Sequence, residues 1–259
     1  MDATALGWAE LAAPAHWRAV DFISDLHLQD GESATVAAWE RYLRETPADA
    51  LFILGDLFEV WVGDDAADDA AGFEARCAAA LHAAAARMPL YFMQGNRDFL
   101  LGPRYAARAG MALLADPTAF TFGPQRYLLS HGDALCLGDT DYLRFRAEVR
   151  APAWQAAFLA RPLAERRAIA RGLRDRSEAR KHAGMAHADV DAVAARAWLQ
   201  AAHCATLIHG HTHKPADHAL GDGLRRMVLS DWDAAAHPPR LQALRLDAQG
   251  SLRRITLPA

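Results

Sequence analysis

The sequence predicts an α/β protein with a mostly parallel sheet covered by helices. Two observations carry this prediction. In the first half of the chain, short apolar runs alternate with segments of helical spacing in the order βαβαβα, and a further β segment follows; this alternation is typical of parallel sheets. Several of the apolar runs also end in side chains that can bind metals. Because strand ends in open α/β sheets converge on ligand sites, we expect one shared site there.

The elements of the first half follow from the spacing of apolar residues and from turn residues. Helix 33–45 is predicted by Val36, Trp39 and Leu43, which recur at helical spacing, and Pro47 ends it. Residues 1–16 are rich in alanine, and we expect a loose extension or a short helix there. The predicted strands are 17–24, 51–54, 90–93, 112–114, 119–122 and 126–130, and the other predicted helices are 70–87 and 103–109.

The composition changes in the second half. Residues 141–200 carry no strand signal, and Pro152, Pro162, Gly172 and Gly184 interrupt them, so we predict several short helices. We therefore expect a helical cap, 140–200, inserted into a core domain formed by 1–139 and 201–259. Five short strands are predicted after the cap, with antiparallel pairing, at 205–208, 217–220, 225–229, 241–246 and 252–257.

The charge is unevenly distributed along the 259 residues. The whole chain carries −4, but residues 140–200 contain twelve Lys or Arg and seven Asp or Glu, a local +5 that leaves −9 on the remainder. A basic segment on an acidic body indicates an anionic ligand or a membrane surface that is met locally, and it disfavours a nucleic acid partner.

The three cysteines show no paired spacing, and residues 1–16 show no signal-peptide pattern. We expect reduced thiols, a cytoplasmic location and, at most, peripheral membrane contact.

Five short motifs follow the predicted strands. They read Asp25-Leu-His27, Gly55-Asp56, Gly95-Asn-Arg-Asp98, His131-Gly-Asp133 and His209-Gly-His-Thr-His213. They offer seven candidate metal ligands: Asp25, His27, Asp56, Asn96, His131, His211 and His213. A mixture of carboxylate, carboxamide and imidazole suits a divalent transition metal such as Mn, Fe, Co or Zn. Seven ligands are too many for one ion. We therefore predict two metals that share a carboxylate, an arrangement that serves phosphoryl displacement.

Several of these residues also allow a structural interpretation. Asp25 and Asp56 could be ordinary turn residues if each stood alone. His209 is expected to shape its loop, and Glu59 either supports a ligand or begins a helix. Arg97 suits a phosphate clamp, since an exposed ion pair would contribute little. A further acidic group could form a third metal patch or a solvated loop, and we favour the loop; it comprises Asp64, Asp65, Asp68 and Asp69.

The ordered motifs resemble the calcineurin-like metallophosphoesterase superfamily over residues 20–215. The resemblance implies a β-sandwich flanked by helices, an αββα arrangement, which agrees with the two-part sheet expected above. It also implies a ligand scheme in which Asp56 bridges two ions. One ion would be held by Asp25, His27, Asp56 and His213, and the other by Asp56, Asn96, His131 and His211.

A narrower resemblance links the chain to the UDP-2,3-diacylglucosamine pyrophosphatases of lipid A biosynthesis. It lies in 25–28, 55–65, 95–102 and 131–136, and in Asp139, Tyr142, Phe145 and Arg146 beyond them. It implies Mn-dependent hydrolysis at the α-phosphorus of UDP-2,3-diacylglucosamine, which yields UMP and 2,3-diacylglucosamine 1-phosphate (lipid X). It further implies two Mn²⁺ ions, a peripheral location at the inner face of the cytoplasmic membrane, and a cap that holds the acyl chains.

The same resemblance assigns roles to individual residues. The implied catalytic residues are Asn96, Arg97 and His131. The implied substrate-binding residues are Asn96, Arg97, Asp139, Tyr142, Arg174, Ser177, Lys181 and His211.

Two alternatives remain open at this point. The first is a metallophosphoesterase of another substrate, such as a nucleotide phosphodiesterase or a nuclease. A nuclease is expected to carry a broad basic track with stacking aromatic residues, and the acidic body argues against it. The second is an inactive scaffold for protein binding. A scaffold should have lost ligands, whereas all seven candidates are present.

Overall fold

The structure is a computed structural model that describes residues 7–182 and 188–258, and side chains up to residue 173 in the long cap helix. The strands are β1 (Ala9–Ala12), β2 (Ala19–Ile23), β3 (Ala50–Leu54), β4 (Leu90–Met93), β5 (Met111–Leu114), β6 (Thr118–Phe122), β7 (Gln125–Leu129), β8 (Thr206–His209), β9 (Asp217–Gly221), β10 (Leu224–Val228), β11 (Gln242–Asp247) and β12 (Leu252–Thr256). The helices are α1 (Ser33–Glu45), α2 (Phe73–Ala85), α3 (Pro103–Ala109), α4 (Thr140–Val149), α5 (Pro152–Leu159), α6 (Leu163–His182) and α7 (Ala192–Ala201).

The strands form two six-stranded mixed sheets. Sheet A has the order β1-β6-β7-β8-β10-β9, and sheet B has the order β12-β11-β2-β3-β4-β5. In sheet B, β2 to β5 are parallel, so the carboxyl ends of β2, β3 and β4 lie at one edge. In sheet A, β7 and β8 are also parallel and end side by side. The topology therefore places five strand ends where the predicted motifs begin.

The alternation of side chains along the strands explains the layers. Phe52 and Leu54 point into a core shared by the two sheets, where Phe52 lies 4.7 Å from Phe120 between ring centroids. Leu51 and Ile53 point the other way, toward helices α1, α2 and α3. Since successive strand residues face opposite sides, a strand buried on both faces reads as a continuous apolar run. The fold is therefore the αββα sandwich flanked by helices that the resemblance implies.

Helix α7 covers the outer face of sheet A. Ala195 and Leu199 pack against Leu128 and Leu207 of the sheet. Asp191 caps the helix, since its side chain accepts a hydrogen bond from the backbone N–H of Ala194 at 2.8 Å. The predicted boundary of the cap at residue 200 places α7 in the cap, and that boundary remains a prediction.

The cap helices are fixed to the core at a buried arginine. The guanidinium of Arg166, on α6, donates to Asp65 Oδ1 at 2.9 Å and to the carbonyl of Val62. Its side chain is only 2% exposed, and a Cβ at Gly63 would collide with it. Helix α5 adds an aromatic contact with the core, because the ring of Trp154 lies 6.2 Å from the ring of Phe99 between centroids. Within the described ranges, no helix combines the length and the apolarity needed to cross a bilayer.

Three expectations from the sequence are wrong. Residues 9–12 form strand β1, which pairs in parallel with β6, so this part of the expected extension is the edge of sheet A; residues 1–6 lie outside the described residues. Strand β10 is parallel to β8, whereas antiparallel pairing was expected throughout the last part. Helix α6 continues through Gly172, because a glycine inside a helix costs only about 1 kcal/mol and tertiary contacts can offset that cost.

Candidate metal centre

The seven predicted ligands come from loops that directly follow five strands. Asp25 and His27 follow β2, Asp56 follows β3, and Asn96 follows β4. His131 follows β7, while His211 and His213 follow β8. The structure brings all seven side chains together between the two sheets. Six of them form two clusters, which we name the first cluster (Asp25, His27 and His213) and the second cluster (Asn96, His131 and His211).

The first cluster has the geometry of ligands around one ion. Nε2 of His27 lies 3.1 Å from Nε2 of His213, and that atom lies 3.3 Å from Oδ1 of Asp25. Two imidazole nitrogens that are each about 2.1 Å from one cation are separated by about this distance. Ligand atoms of the three residues all lie within 4.8 Å of one another. The donor set therefore fits a divalent transition metal.

The second cluster converges on a carboxamide oxygen. Oδ1 of Asn96 lies 2.9 Å from Nε2 of His131 and 2.8 Å from Nδ1 of His211. Oδ1 of Asp56 lies 3.8 Å from Nε2 of His131. Asp56 is also grouped with Asp25 and His131 within 4.8 Å, so it stands between the two clusters. This is the place that a bridging carboxylate requires.

The backbone is strained at five of the seven ligands. Their φ angles are positive: Asp25 54°, His27 51°, Asp56 52°, His211 68° and His213 52°. Residues other than glycine rarely adopt this left-handed backbone conformation, which costs about 1–2 kcal/mol per residue. Such strain concentrates at functional sites, where the surrounding structure holds it in place. Its concentration on candidate ligands is independent support for a binding site.

Asp98 ties two of the ligand loops together. Its side chain is fully buried. One carboxylate oxygen accepts from the backbone N–H groups of Gly95 at 2.8 Å and Asp56 at 3.3 Å. The other accepts from those of Leu57 at 2.7 Å and Phe58 at 3.3 Å. Asp98 therefore fixes the Asp56 loop against the Asn96 loop.

The charges of the site explain its pKa shifts. Burial alone would lower the pKa of His131, but the carboxylates of Asp56 and Asp133 raise it to about 9. Burial and the charge of His131 lower the pKa of His211 to about 3. Burial and the charge of Asp56 raise the pKa of Asp98 to about 7. Closely spaced buried carboxylates thus create a negative potential that a cation would offset, which agrees with the donor set.

Glu59 supports both a ligand and the candidate phosphate clamp. Its carboxylate lies 2.9 Å from Nδ1 of His27 and 3.5 Å from Nη1 of Arg97. A carboxylate at this distance favours a proton on Nδ1, which leaves Nε2 of His27 available to the first cluster. The backbone N–H of Arg97 donates to Oδ1 of Asp56 at 2.8 Å, and its side chain is 18% exposed. Arg97 is therefore anchored by its backbone and still reaches the site.

We expect the Glu59→Gln variant to bind metal at the first cluster about tenfold more weakly, because the amide cannot hold the His27 imidazole as a carboxylate does. Titration of the metal-free variant with Mn²⁺ measures this loss. Glu32→Gln is the control, since Glu32 is an exposed carboxylate outside the site. Unchanged metal affinity in Glu59→Gln would contradict the supporting role.

The structure places the remaining predicted residues less directly at the site. Asp139 caps α4 by accepting from the backbone N–H of Tyr142 at 3.0 Å. The hydroxyl of Tyr142 donates to Asp133 at 2.5 Å, and its ring stacks on His211 at 5.9 Å. The side chains of the three cap residues expected to bind substrate, Arg174, Ser177 and Lys181, lie outside the described part of the chain.

The acidic loop after β3 is occupied by internal contacts. Asp64 accepts from the backbone N–H groups of Gly102 at 2.8 Å and Tyr105 at 3.0 Å, which fixes the start of α3. Asp65 pairs with Arg166, and Asp68 pairs with Arg104. These contacts argue against a third metal patch.

His209 is held by contacts within the protein, since its Nδ1 lies 2.9 Å from the carbonyl oxygen of Gly210 and its Nε2 lies 3.4 Å from Nη1 of Arg226.

Sequence reasoning gave no role to several residues that support the ligands. Ser24 donates to Oδ2 of Asp25 at 2.5 Å. Asp231 lies 3.9 Å from Nδ1 of His213. Asp98 and Asp133 belong to the motifs, and their sequence positions close to candidate ligands could have marked them as supporting residues. Nothing in the local sequence marks Asp231, because its partner is distant in the chain.

Comparison with known proteins identifies the family. The calcineurin-like phosphoesterase family matches residues 19–215. The UDP-2,3-diacylglucosamine hydrolase of Chromobacterium violaceum is 49% identical over 92% of this chain and 99% of its own length. The protein of that name from Stenotrophomonas maltophilia (strain R551-3) is 44% identical over 88% of this chain and 95% of its own length.

One solved structure shows a distant likeness. Zinc-bound Vps29 from Entamoeba histolytica gives a TM-score of 0.44 at 14% identity, covering 92% of this chain and 97% of that chain. At that level no inference about function follows. The family match and the bacterial relatives are decisive: the chain belongs to the calcineurin-like phosphoesterase family and groups with the UDP-2,3-diacylglucosamine hydrolases of these bacteria.

Proposed function

We propose that this chain hydrolyses UDP-2,3-diacylglucosamine in lipid A biosynthesis. The observation that carries the proposal is the complete set of seven ligands, arranged as two clusters around Asp56, in a chain 49% identical to a hydrolase of that name. An inactive scaffold is disfavoured because it would have no reason to retain strained backbone at five ligand positions. The attack is proposed to occur at the α-phosphorus, giving UMP and 2,3-diacylglucosamine 1-phosphate.

The site offers the groups that such a hydrolysis needs. Two divalent cations, proposed to be Mn²⁺, would supply positive charge and an activated water when bound to the clusters. Asp25, His27, Asp56 and His213 are proposed to hold one ion, and Asp56, Asn96, His131 and His211 the other. Arg97 is placed by its backbone contact with Asp56 so that its guanidinium can neutralise charge that develops on the phosphoryl oxygens.

The cap is proposed to bind the rest of the substrate. Tyr142, Arg174, Ser177 and Lys181 of the cap are assigned to the phosphosugar by resemblance, together with Asn96, Arg97, Asp139 and His211 of the core. Phe145 and Leu159 on the cap helices are 38% and 41% exposed, unusual for large apolar side chains. We propose that the local positive charge and these apolar side chains support peripheral attachment at the inner face of the cytoplasmic membrane.

The proposal is tested by incubating the purified protein with UDP-2,3-diacylglucosamine and Mn²⁺ in water enriched in oxygen-18. Release of UMP that carries the label, lost in EDTA, is the expected result, since attack at the α-phosphorus transfers the water oxygen to UMP. Label in the sugar phosphate would mean attack at the other phosphorus. Hydrolysis of bis-p-nitrophenyl phosphate but not of UDP-2,3-diacylglucosamine would support the proposed metal site and contradict the proposed substrate.

A further inference from the structure

One face of α4 points toward the metal centre. Tyr142, Arg146 and Arg150 are spaced four residues apart, so they line up along the helix and at its C-terminal end. Their side chains converge on loops of the core rather than on solvent: Arg146 and Arg150 are 21% and 20% exposed. Arg144, on the same helix, is 78% exposed and pairs with Asp141. The helix therefore has one buried basic face and one exposed basic face.

The buried face meets the loop that carries His131. Asp133 lies two residues after His131, and its side chain is fully buried. Its Oδ2 accepts from the hydroxyl of Tyr142 at 2.5 Å and from Nε of Arg146 at 2.8 Å, and Nη2 of Arg150 lies 3.6 Å away. The loop is thus clamped to α4 through one carboxylate.

The same face meets the other two ligands of the second cluster. Nη2 of Arg150 donates to the carbonyl of Gly95 at 2.9 Å, directly before Asn96. The ring of Tyr142 stacks on the imidazole of His211 at 5.9 Å with an angle of 28°. Each member of the second cluster therefore has a contact with α4, either directly or through a residue one or two positions away in its loop.

The first cluster is supported from elsewhere in the fold. His27 is held by Glu59, Asp25 accepts from Ser24, and Asp231 lies close to His213. These supports come from the loops after β2, β3 and β10. The two clusters thus have separate sets of supporting residues, although they share Asp56.

We infer that Arg146 and Arg150 are positioning residues for one half of the centre: they hold the loops of Asn96 and His131 in binding geometry and leave the other half unaffected. The inference rests on the proposed two-metal function and adds that the first cap helix sets the affinity of one ion alone. Replacing a residue that orients ligands lowers metal affinity by about 10–100-fold. Arg150 carries the sharper test, because it contacts both the Asn96 loop and Asp133.

The test is a titration of metal-free protein with Mn²⁺. Calorimetry measures the affinity of each ion, and electron paramagnetic resonance records whether the bound ions are coupled. The wild-type chain is expected to bind two ions and to show the spectrum of a coupled pair. In Arg150→Met, one ion should bind about 10–100-fold more weakly and the other within about twofold of the wild type. At one equivalent of Mn²⁺, the variant should show the spectrum of an isolated ion. Arg144→Met, on the exposed face, should match the wild type.

Two further variants identify the affected half. Arg150→Lys, which keeps the charge, should recover part of the lost affinity. Combining Arg150→Met with Glu59→Gln should weaken the binding of both ions, each by the factor seen in its single variant, because the two residues contact different clusters and share no partner among these contacts. If Arg150→Met lowered the affinity for both ions equally, or changed neither affinity, the inference would be overturned and the two-metal function would stand. A wild-type chain that binds fewer than two ions would overturn the function itself.

Discussion

Replacement of Asp56 by alanine is expected to lower kcat/KM at least about a thousandfold, which corresponds to about 4 kcal/mol of transition-state stabilisation. Asp56 is 2% exposed and stands between the two clusters, so the change removes a ligand from both proposed ions. It also removes the acceptor of the Arg97 backbone N–H. Both the metals and the phosphate clamp therefore lose their placement. The rate of UMP release at saturating Mn²⁺ measures the effect.

The control for Asp56→Ala is Asp30→Ala, because Asp30 is a 72% exposed aspartate paired with Arg76. It should keep activity within about twofold of the wild type, as expected for an exposed ion pair. Metal content should be measured in parallel. Substantial hydrolysis by Asp56→Ala with two ions still bound would contradict the bridging role.

Replacement of Asp98 by alanine is expected to lower the free energy of unfolding by about 4 kcal/mol. Four buried backbone N–H groups would lose their acceptor, and each unsatisfied buried donor costs about 1–3 kcal/mol. The loss stays below the full sum because the buried charge of Asp98 is itself costly, as its raised pKa indicates. Urea denaturation with a chelator present measures this change without a contribution from bound metal.

Asp98→Asn should lose less stability than Asp98→Ala, since one oxygen acceptor remains while the amide nitrogen faces two N–H donors. Asp141→Ala is the surface control, because Asp141 is 67% exposed, and its effect should stay within about 0.5 kcal/mol. If Asp98→Ala were as stable as the wild type, the ligand loops would have to be held by other contacts.

The central strands of the fold could be predicted from the sequence because they are apolar on both faces. Residues 51–54 and 90–93 read as buried strands, and both lie within strands of sheet B. The convergence of the candidate ligands was predictable for the same reason, since each motif begins directly where an apolar run ends. Helix α1 matched its predicted limits, 33–45, because Trp39 and Leu43 mark its buried face and Pro47 blocks its extension.

What could not be predicted depends on partners far away in the chain. Strand β1 has only four residues, alternates between exposed and half-buried positions, and becomes a strand by pairing with β6 more than 100 residues later. The carboxylate of Asp133 gains its role from Arg146 and Arg150, which local spacing does not connect to it. Local patterns report burial and turns, whereas such contacts follow only from the assembled topology.

Each ligand cluster joins the two sheets, and this has a consequence for how the protein is made. Asp25, His27 and Asn96 follow strands of sheet B, but each cluster is completed only by a histidine from the loop after β8 of sheet A. Since synthesis proceeds from the N-terminus, His211 and His213 are added to the chain only after about four-fifths of the 259 residues have been joined. A nascent chain that stops at residue 208 offers neither cluster in full. We therefore expect metal loading to be a late event in biogenesis, after residues 140–200 have been made.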